Sequence, residues 1–296
     1  MLGEAERQND AAGKLTTRLA EAMPSTWTTA VGTAAAAAAA AASYLYLSRR
    51  AKAADVRVTY WGGRGLCEPL RCILAAAGVE FMDVFLTAET GRDELSRLRS
   101  AGKLQFDQLP LVEIDGLNLV QTRATANYLG ARFGLLPGSP RHAYLVECVY
   151  GSSQDARGPM VGLPFAQYPK APTEADFEKR LSDMRGSTGL LGRHAPKWEA
   201  MLSDAGPFVL GARPSIADVG IFECVDLFRS LFGAEEFDAS FAPFPRVRAL
   251  LTATRSLGRL AEHCEAGRKT HATWDAATGK HSNLLKYATA VRSTLA

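Results

Sequence analysis

Apolar positions recur along this chain with two different periods, and the change falls near residue 135. Before it, short strand-like runs alternate with helical stripes. Residues 56–61 read as a strand. Residues 66–77 carry an apolar helical stripe that stops at Gly78, and 81–86 read as a second strand. Residues 92–100 form a short amphipathic helix. Residues 111–114 and 117–120 flank Asp115-Gly116, the strongest short-range hairpin signal because both turn positions tolerate positive φ. Residues 122–133 close this unit as a helix ending at Gly134. A βαβ unit followed by ββα predicts a thioredoxin-like α/β domain over 55–135.

Residues 134–140 read as a linker rich in glycine and proline. From 140 to 266 the pattern is almost entirely helical, with a Pro/Gly-rich interruption at 158–172, and predicts an all-α second domain. Ser215-Ile-Ala-Asp218 precedes the apolar run 219–231. Serine and aspartate three apart can satisfy each other's free backbone donors, so this is a helix N-terminal capping box. Residues 267–296 are a polar tail with a last helix expected at 283–295.

The first 54 residues follow neither pattern. No charge occurs from 23 to 48, and 34–42 is unbroken alanine. A helix over 26–47 would span about 33 Å, enough for a hydrocarbon layer of about 30 Å. Trp27 lies at one end, Tyr44 and Tyr46 at the other, and Arg49, Arg50 and Lys52 follow. That arrangement predicts a single-pass membrane anchor with the globular part on the cytoplasmic, matrix or stromal side. The competing reading is an alanine-rich soluble helix or spacer. Glu4, Glu6, Asp10 and Glu21 speak against a cleaved targeting peptide.

Length and charge narrow the function. A chain of 296 residues holds two ordinary domains, and a formal charge of +3 gives no reason to expect nucleic acid. Five cysteines without a Cys-x-x-Cys pair read as reduced thiols, and the histidines show no metal spacing.

Three short motifs carry chemistry: Tyr60-Trp61 with Arg64-Gly65-Leu66, then Gln108-Leu109-Pro110, then Gln121-Thr122-Arg123. Their order and spacing resemble the glutathione-binding half of a tyrosine-type glutathione transferase. Residues 75–81, 112–116 and 119–124 look alpha-class, whereas Tyr60-Trp61 and Arg64-Gly65-Leu66 look mu-like, and sigma stays open. The resemblance spans about 55–266. It implies that Tyr60 stabilises the glutathione thiolate, since a free thiol with a pKa of about 8.5 is mostly protonated at neutral pH. It implies glutathione binding by Trp61, Leu66, Arg99, Gln108, Leu109, Pro110, Gln121, Thr122 and Asp155, with Pro110 cis and no metal; Lys103, where alpha-class members carry a different residue, would support the glycyl carboxylate. Gln121-Thr122 would hold the γ-glutamyl carboxylate at a helix N-terminus. Asp155 would reach the γ-glutamyl amine across a dimer, with Phe106 as the aromatic anchor of that interface. Leu66 stands where alpha-class members carry a second catalytic arginine.

Alternatives stay open. Cys67 near a helix start could act as a nucleophile. The same thiolate could serve a peroxidase or an isomerase. A transferase-like domain could also be an idle subunit of a membrane complex. Met160, Leu163, Phe165, Leu284, Leu285 and Tyr287 are candidates for an apolar substrate wall. The catalytic reading needs an open hollow beside Tyr60.

Overall fold

The computed structural model describes residues 55–267, 274–275, 280–281 and 284–295. The expected membrane span at 26–47 lies outside them. Among the described residues, no helix is long and apolar enough to cross a membrane.

The first domain is built on β1 (Arg57–Trp61), which pairs in parallel with β2 (Met82–Leu86) and antiparallel with β3 (Leu111–Ile114). Strand β4 (Leu117–Leu119) pairs antiparallel with β3, giving the mixed sheet order β2-β1-β3-β4. Asp115 and Gly116 take φ of 53° and 78°, the left-handed pair that an Asp-Gly hairpin turn requires. This is the thioredoxin-like arrangement.

Helix α1 (Glu68–Ala76) is buried at every residue, because the closing helix of its own domain and two helices of the second domain pack around it. It starts two residues later than its apolar stripe. Cys67 and Glu68 both donate their N–H groups to the Arg64 carbonyl, so the chain there is a turn. Helix α2 (Gly91–Ser100) buries Leu95 and Leu98 and turns its Arg97–Glu94 pair outward. Helix α3 (Thr122–Phe133) stops at Gly134, whose left-handed φ of 79° serves as its C-cap.

The second domain is helical: α4 (Pro140–Val161), α5 (Glu174–Arg185), α6 (Ala195–Met201), α7 (Ile216–Phe241), α8 (Pro245–Arg255) and α9 (Leu260–Gly267). Helix α4 runs through Pro159, further than the Pro/Gly-rich pattern implies. Helix α7 is the centre of this domain and packs on α4, where Gly220 allows the approach. A Cβ there would lie 2.5 Å from Ser153 Oγ. The capping box forms as read: the Ser215 N–H and hydroxyl both donate to one Asp218 oxygen at 2.7 Å, and the Val209 N–H donates to the other at 2.8 Å. The tail folds back as α10 (Leu284–Leu295) against α2, β1 and the 3-10 turn Leu163–Phe165.

Charges cross the boundary between the domains inside the core. Arg157 on α4 holds Glu223 on α7 through two bonds of 2.6 and 2.9 Å, and also donates to the Gly65 carbonyl at 2.9 Å. Arg64 pairs with Asp226 and lies 3.7 Å from Glu223. Arg71 on α1 bonds Asp83 at 2.7 Å and donates to the Gly63 carbonyl at 2.9 Å. Three arginines therefore fix the loop 62–66 that follows β1.

Two stability predictions follow from these contacts. Asp218→Ala leaves buried donors of Ser215 and Val209 without acceptors and should lower unfolding free energy by about 2–3 kcal/mol. Glu223→Ala strands the buried Arg157 and should lower it by about 3–5 kcal/mol. Denaturant unfolding measures both, and a loss under about 1 kcal/mol for Glu223→Ala would show the network to be dispensable.

Candidate active site

Tyr60 sits in β1 just before the 62–66 loop, with its ring 3% exposed. Its hydroxyl accepts the Leu66 N–H at 3.0 Å. That bond uses a lone pair and leaves the phenolic proton to be donated elsewhere. Gly65 makes the geometry possible: its φ is +40°, and a Cβ would lie 2.5 Å from the Tyr60 oxygen. Burial raises the Tyr60 pKa, only partly offset by the Leu66 bond, so the phenol keeps its proton at neutral pH.

The hollow beside this phenol is not open. Tyr287 of α10 fills it, buried, with its hydroxyl hydrogen-bonded to that of Tyr60. The Tyr287 ring lies against Gly63, packs edge-on to Phe165 with centroids 5.8 Å apart, and has its own pKa raised by burial. The expectation of an unobstructed pocket is therefore corrected: the chain's own tail occupies it. Met160 and Leu163 are buried, while Leu285 is half-buried.

A continuous rim leads away from Tyr60. The Leu66 carbonyl accepts the Thr122 hydroxyl at 3.1 Å. Both backbone polar groups of Leu66 thus serve the fold, and its side chain is 52% exposed. Gln121, next to Thr122, donates its amide to the Gln108 side-chain oxygen at 3.0 Å. The Leu109–Pro110 bond is cis. Asp107, before Gln108, accepts Arg99 on its carbonyl at 3.1 Å. The motifs far apart in sequence thus meet along one edge.

Two features of this rim are those of a ligand site. Gln121 holds φ 69° and ψ 105°, a backbone conformation that costs a non-glycine residue about 1–3 kcal/mol and clusters at functional sites. No side chain caps α3, so its first N–H groups face outward with the positive end of the helix dipole. Trp61 adds a third: its buried Nε1 has no hydrogen-bond partner among the described residues. Its ring packs edge-on against Tyr60 at 4.9 Å.

Other expected residues lie elsewhere or are engaged. Lys103 is paired with Glu113 at 2.5 Å. Asp155 and Phe106 are exposed. Cys67 is fully buried, and burial pushes its thiol up to about 12, which removes the nucleophile reading. Arg71, Arg157 and Glu223 escaped sequence reasoning. The available signal was charge on core-facing positions of apolar helical runs.

The comparisons agree with this geometry. Residues 56–131 match the family model described as glutathione S-transferase, N-terminal domain, and 162–267 match the glutathione S-transferase, C-terminal domain. Rat (Rattus norvegicus) glutathione S-transferase alpha-3 is 35% identical over 210 residues, covering 70% of this chain and 87% of the relative. Chicken (Gallus gallus) glutathione S-transferase 3 is 33% identical over 220 residues, covering 73% and 88%. Among solved structures, a pi-class glutathione S-transferase of Onchocerca volvulus shares the fold with a TM-score of 0.57 at 21% identity, over 72% of this chain and 93% of its own. With the phenol, the uncapped helix and the cis proline on one edge of such a fold, the chain belongs to the glutathione S-transferase family.

Proposed function

We propose that this chain binds glutathione along the Tyr60–Arg99 rim and activates its thiol for attack on an apolar electrophile. The observation that carries this is the Tyr60 hydroxyl, which accepts from Leu66 and so has one proton to give. A raised pKa keeps that proton on the phenol, making it a donor to a thiolate rather than a base. A hydrogen bond to an anion is worth about 1.5–3 kcal/mol. That would lower the thiol pKa by about one to two units. The uncapped start of α3 suits the γ-glutamyl carboxylate, Trp61 Nε1 offers an unused donor, and Arg99 suits the glycyl carboxylate.

The Tyr287 ring fills the hollow where the glutathione sulfur would lie, so it must move aside for the thiol to reach the Tyr60 proton. Exposed Phe106 and Asp155 suit a dimer in which a second copy completes the γ-glutamyl site. The segment 26–47 supports a membrane tether with this domain on the reducing side, a reading that rests on sequence alone. The same thiolate would equally serve hydroperoxide reduction or isomerisation. A second reading, an accessory subunit idle in catalysis, is favoured by one observation, the filling of the hollow by Tyr287. Retention on immobilised glutathione after detergent extraction separates the two, because an idle subunit passes through the resin.

Tyr60→Phe should lower kcat/KM about 10–100-fold with little change in glutathione affinity. Its rate-against-pH midpoint should move upward, because the thiol then ionises near its ordinary value. Unchanged turnover and midpoint would overturn the assignment. Tyr287→Ala removes the ring that fills the hollow and should tighten glutathione binding about fivefold, measured by calorimetry. Weaker binding would mean that Tyr287 helps hold the tripeptide.

A further inference from the structure

A second cluster of reactive groups lies where α1 meets α9, and the transferase chemistry makes no use of it. Glu68 and Cys72 are four residues apart on α1, so they share one face of that helix. His263 of α9 meets them there. One ligand atom from each of these three residues lies within 4.8 Å of the others. The Glu68 Oε1 atom is 2.8 Å from His263 Nε2 and 4.0 Å from Cys72 Sγ.

We propose that Glu68, Cys72 and His263 form a binding site for one zinc ion that clamps α1 of the first domain to α9 of the second. The donor set is the first argument. A carboxylate, a thiolate and an imidazole together suit zinc, whereas magnesium and calcium take oxygen ligands. Spacing is the second. Around a tetrahedral zinc with bonds of about 2.0 Å to nitrogen and oxygen and about 2.3 Å to sulfur, neighbouring ligand atoms stand roughly 3.3–3.6 Å apart. The observed 2.8 and 4.0 Å bracket that range, and all three ligand atoms lie within 4.8 Å of one another, so an ion would draw the sulfur in toward the other two.

Orientation is the third argument. Glu68 divides its two oxygens: Oε2 faces Arg71 at 3.3 Å, while Oε1 faces the cysteine and the histidine. Arg71 would hold the ligand carboxylate from behind, as outer partners of metal ligands do. Its own charge is met by Asp83 at 2.7 Å, which limits its repulsion of a cation. A cavity of about 430 Å³, lined in part by Phe81, Glu80, Glu262 and His263, opens beside the imidazole; Glu68 and Cys72 do not line it, so an ion would enter past His263. Glu80 and Glu262 give that mouth negative charge, although Arg259 pairs with both.

Proton accounting is simple. Zinc forms bonds to Sγ, Nε2 and Oε1. The Cys72 thiol proton leaves to solvent, and the proton shared by His263 Nε2 and Glu68 moves to Nδ1 or to solvent. No redox change occurs.

The test uses the untagged full chain carrying Cys148→Ser, which removes the exposed thiol. The chain is stripped with a chelator, desalted and titrated with zinc alone against a chromophoric chelator, then with cobalt as a spectroscopic stand-in. The expected result is one zinc per chain, a thiolate-to-cobalt charge-transfer band in the near ultraviolet, and visible bands of tetrahedral intensity. Cys72→Ala and His263→Ala should each weaken zinc binding about tenfold or more. Absence of stoichiometric zinc, absence of the charge-transfer band, or zinc held equally by both variants would overturn the site. The cobalt spectrum decides even where a variant fails to fold, because it reads the chain with Cys72 and His263 intact. Glutathione-resin binding is recorded in parallel, so failure of the zinc site and failure of the transferase reading are seen separately.

Discussion

The buried ion pairing between Arg157 and Glu223 is the constraint on which the site depends. Both groups are almost wholly removed from water, at 2% and 0% side-chain exposure, and they are joined by two short bonds. Such a pair stabilises little relative to an apolar replacement, but losing one partner strands the other. Its value here is positional. The same guanidinium holds the Gly65 carbonyl, so a helix of the second domain sets the path of a loop in the first. Arg64 and Arg71 act on the same loop from other sides. The Leu66 N–H is thereby aimed at Tyr60, and the phenolic proton is left for a ligand.

This arrangement links folding to chemistry across the domain boundary. Helix α7 carries Glu223 and Asp226 and is itself started by the Ser215–Asp218 box. Misplacing that helix would move the loop before it moved Tyr60. The tail adds a second link. Through Tyr287 it places a phenol against a phenol, so the position of α10 decides the access to Tyr60. Arg92 of α2 bonds the Ser293 carbonyl at 3.3 Å, which seats α10 on the first domain as well.

Much of this was legible in order along the chain. Alternation and turn chemistry identified all four strands of the mixed sheet, with no end shifted by more than one residue. The Asp-Gly hairpin and the helix ending at Gly134 were readable because each depends on local φ preferences that few residues satisfy. The capping box was readable for a similar reason: it is completed within four residues. The candidate site is legible only as motifs whose spacing resembles a family, Tyr60, Gln108 and Gln121 among them.

The amino-acid pattern by itself determined the two-domain thioredoxin-like plus helical architecture and the phenol offered at the end of the first strand. Only the tertiary structure decided what surrounds that phenol: the arginines behind its loop, the unpaired Trp61 nitrogen, and Tyr287 in front of it. It also decided that Lys103 belongs to Glu113 and that Cys67 is sealed in the core. The physical reason is range. Periodicity and turn preferences act over a few residues, whereas Arg157 meets Gly65 across 92 positions. Which distant charge fills a buried polar requirement is settled by packing, and packing has no local signature.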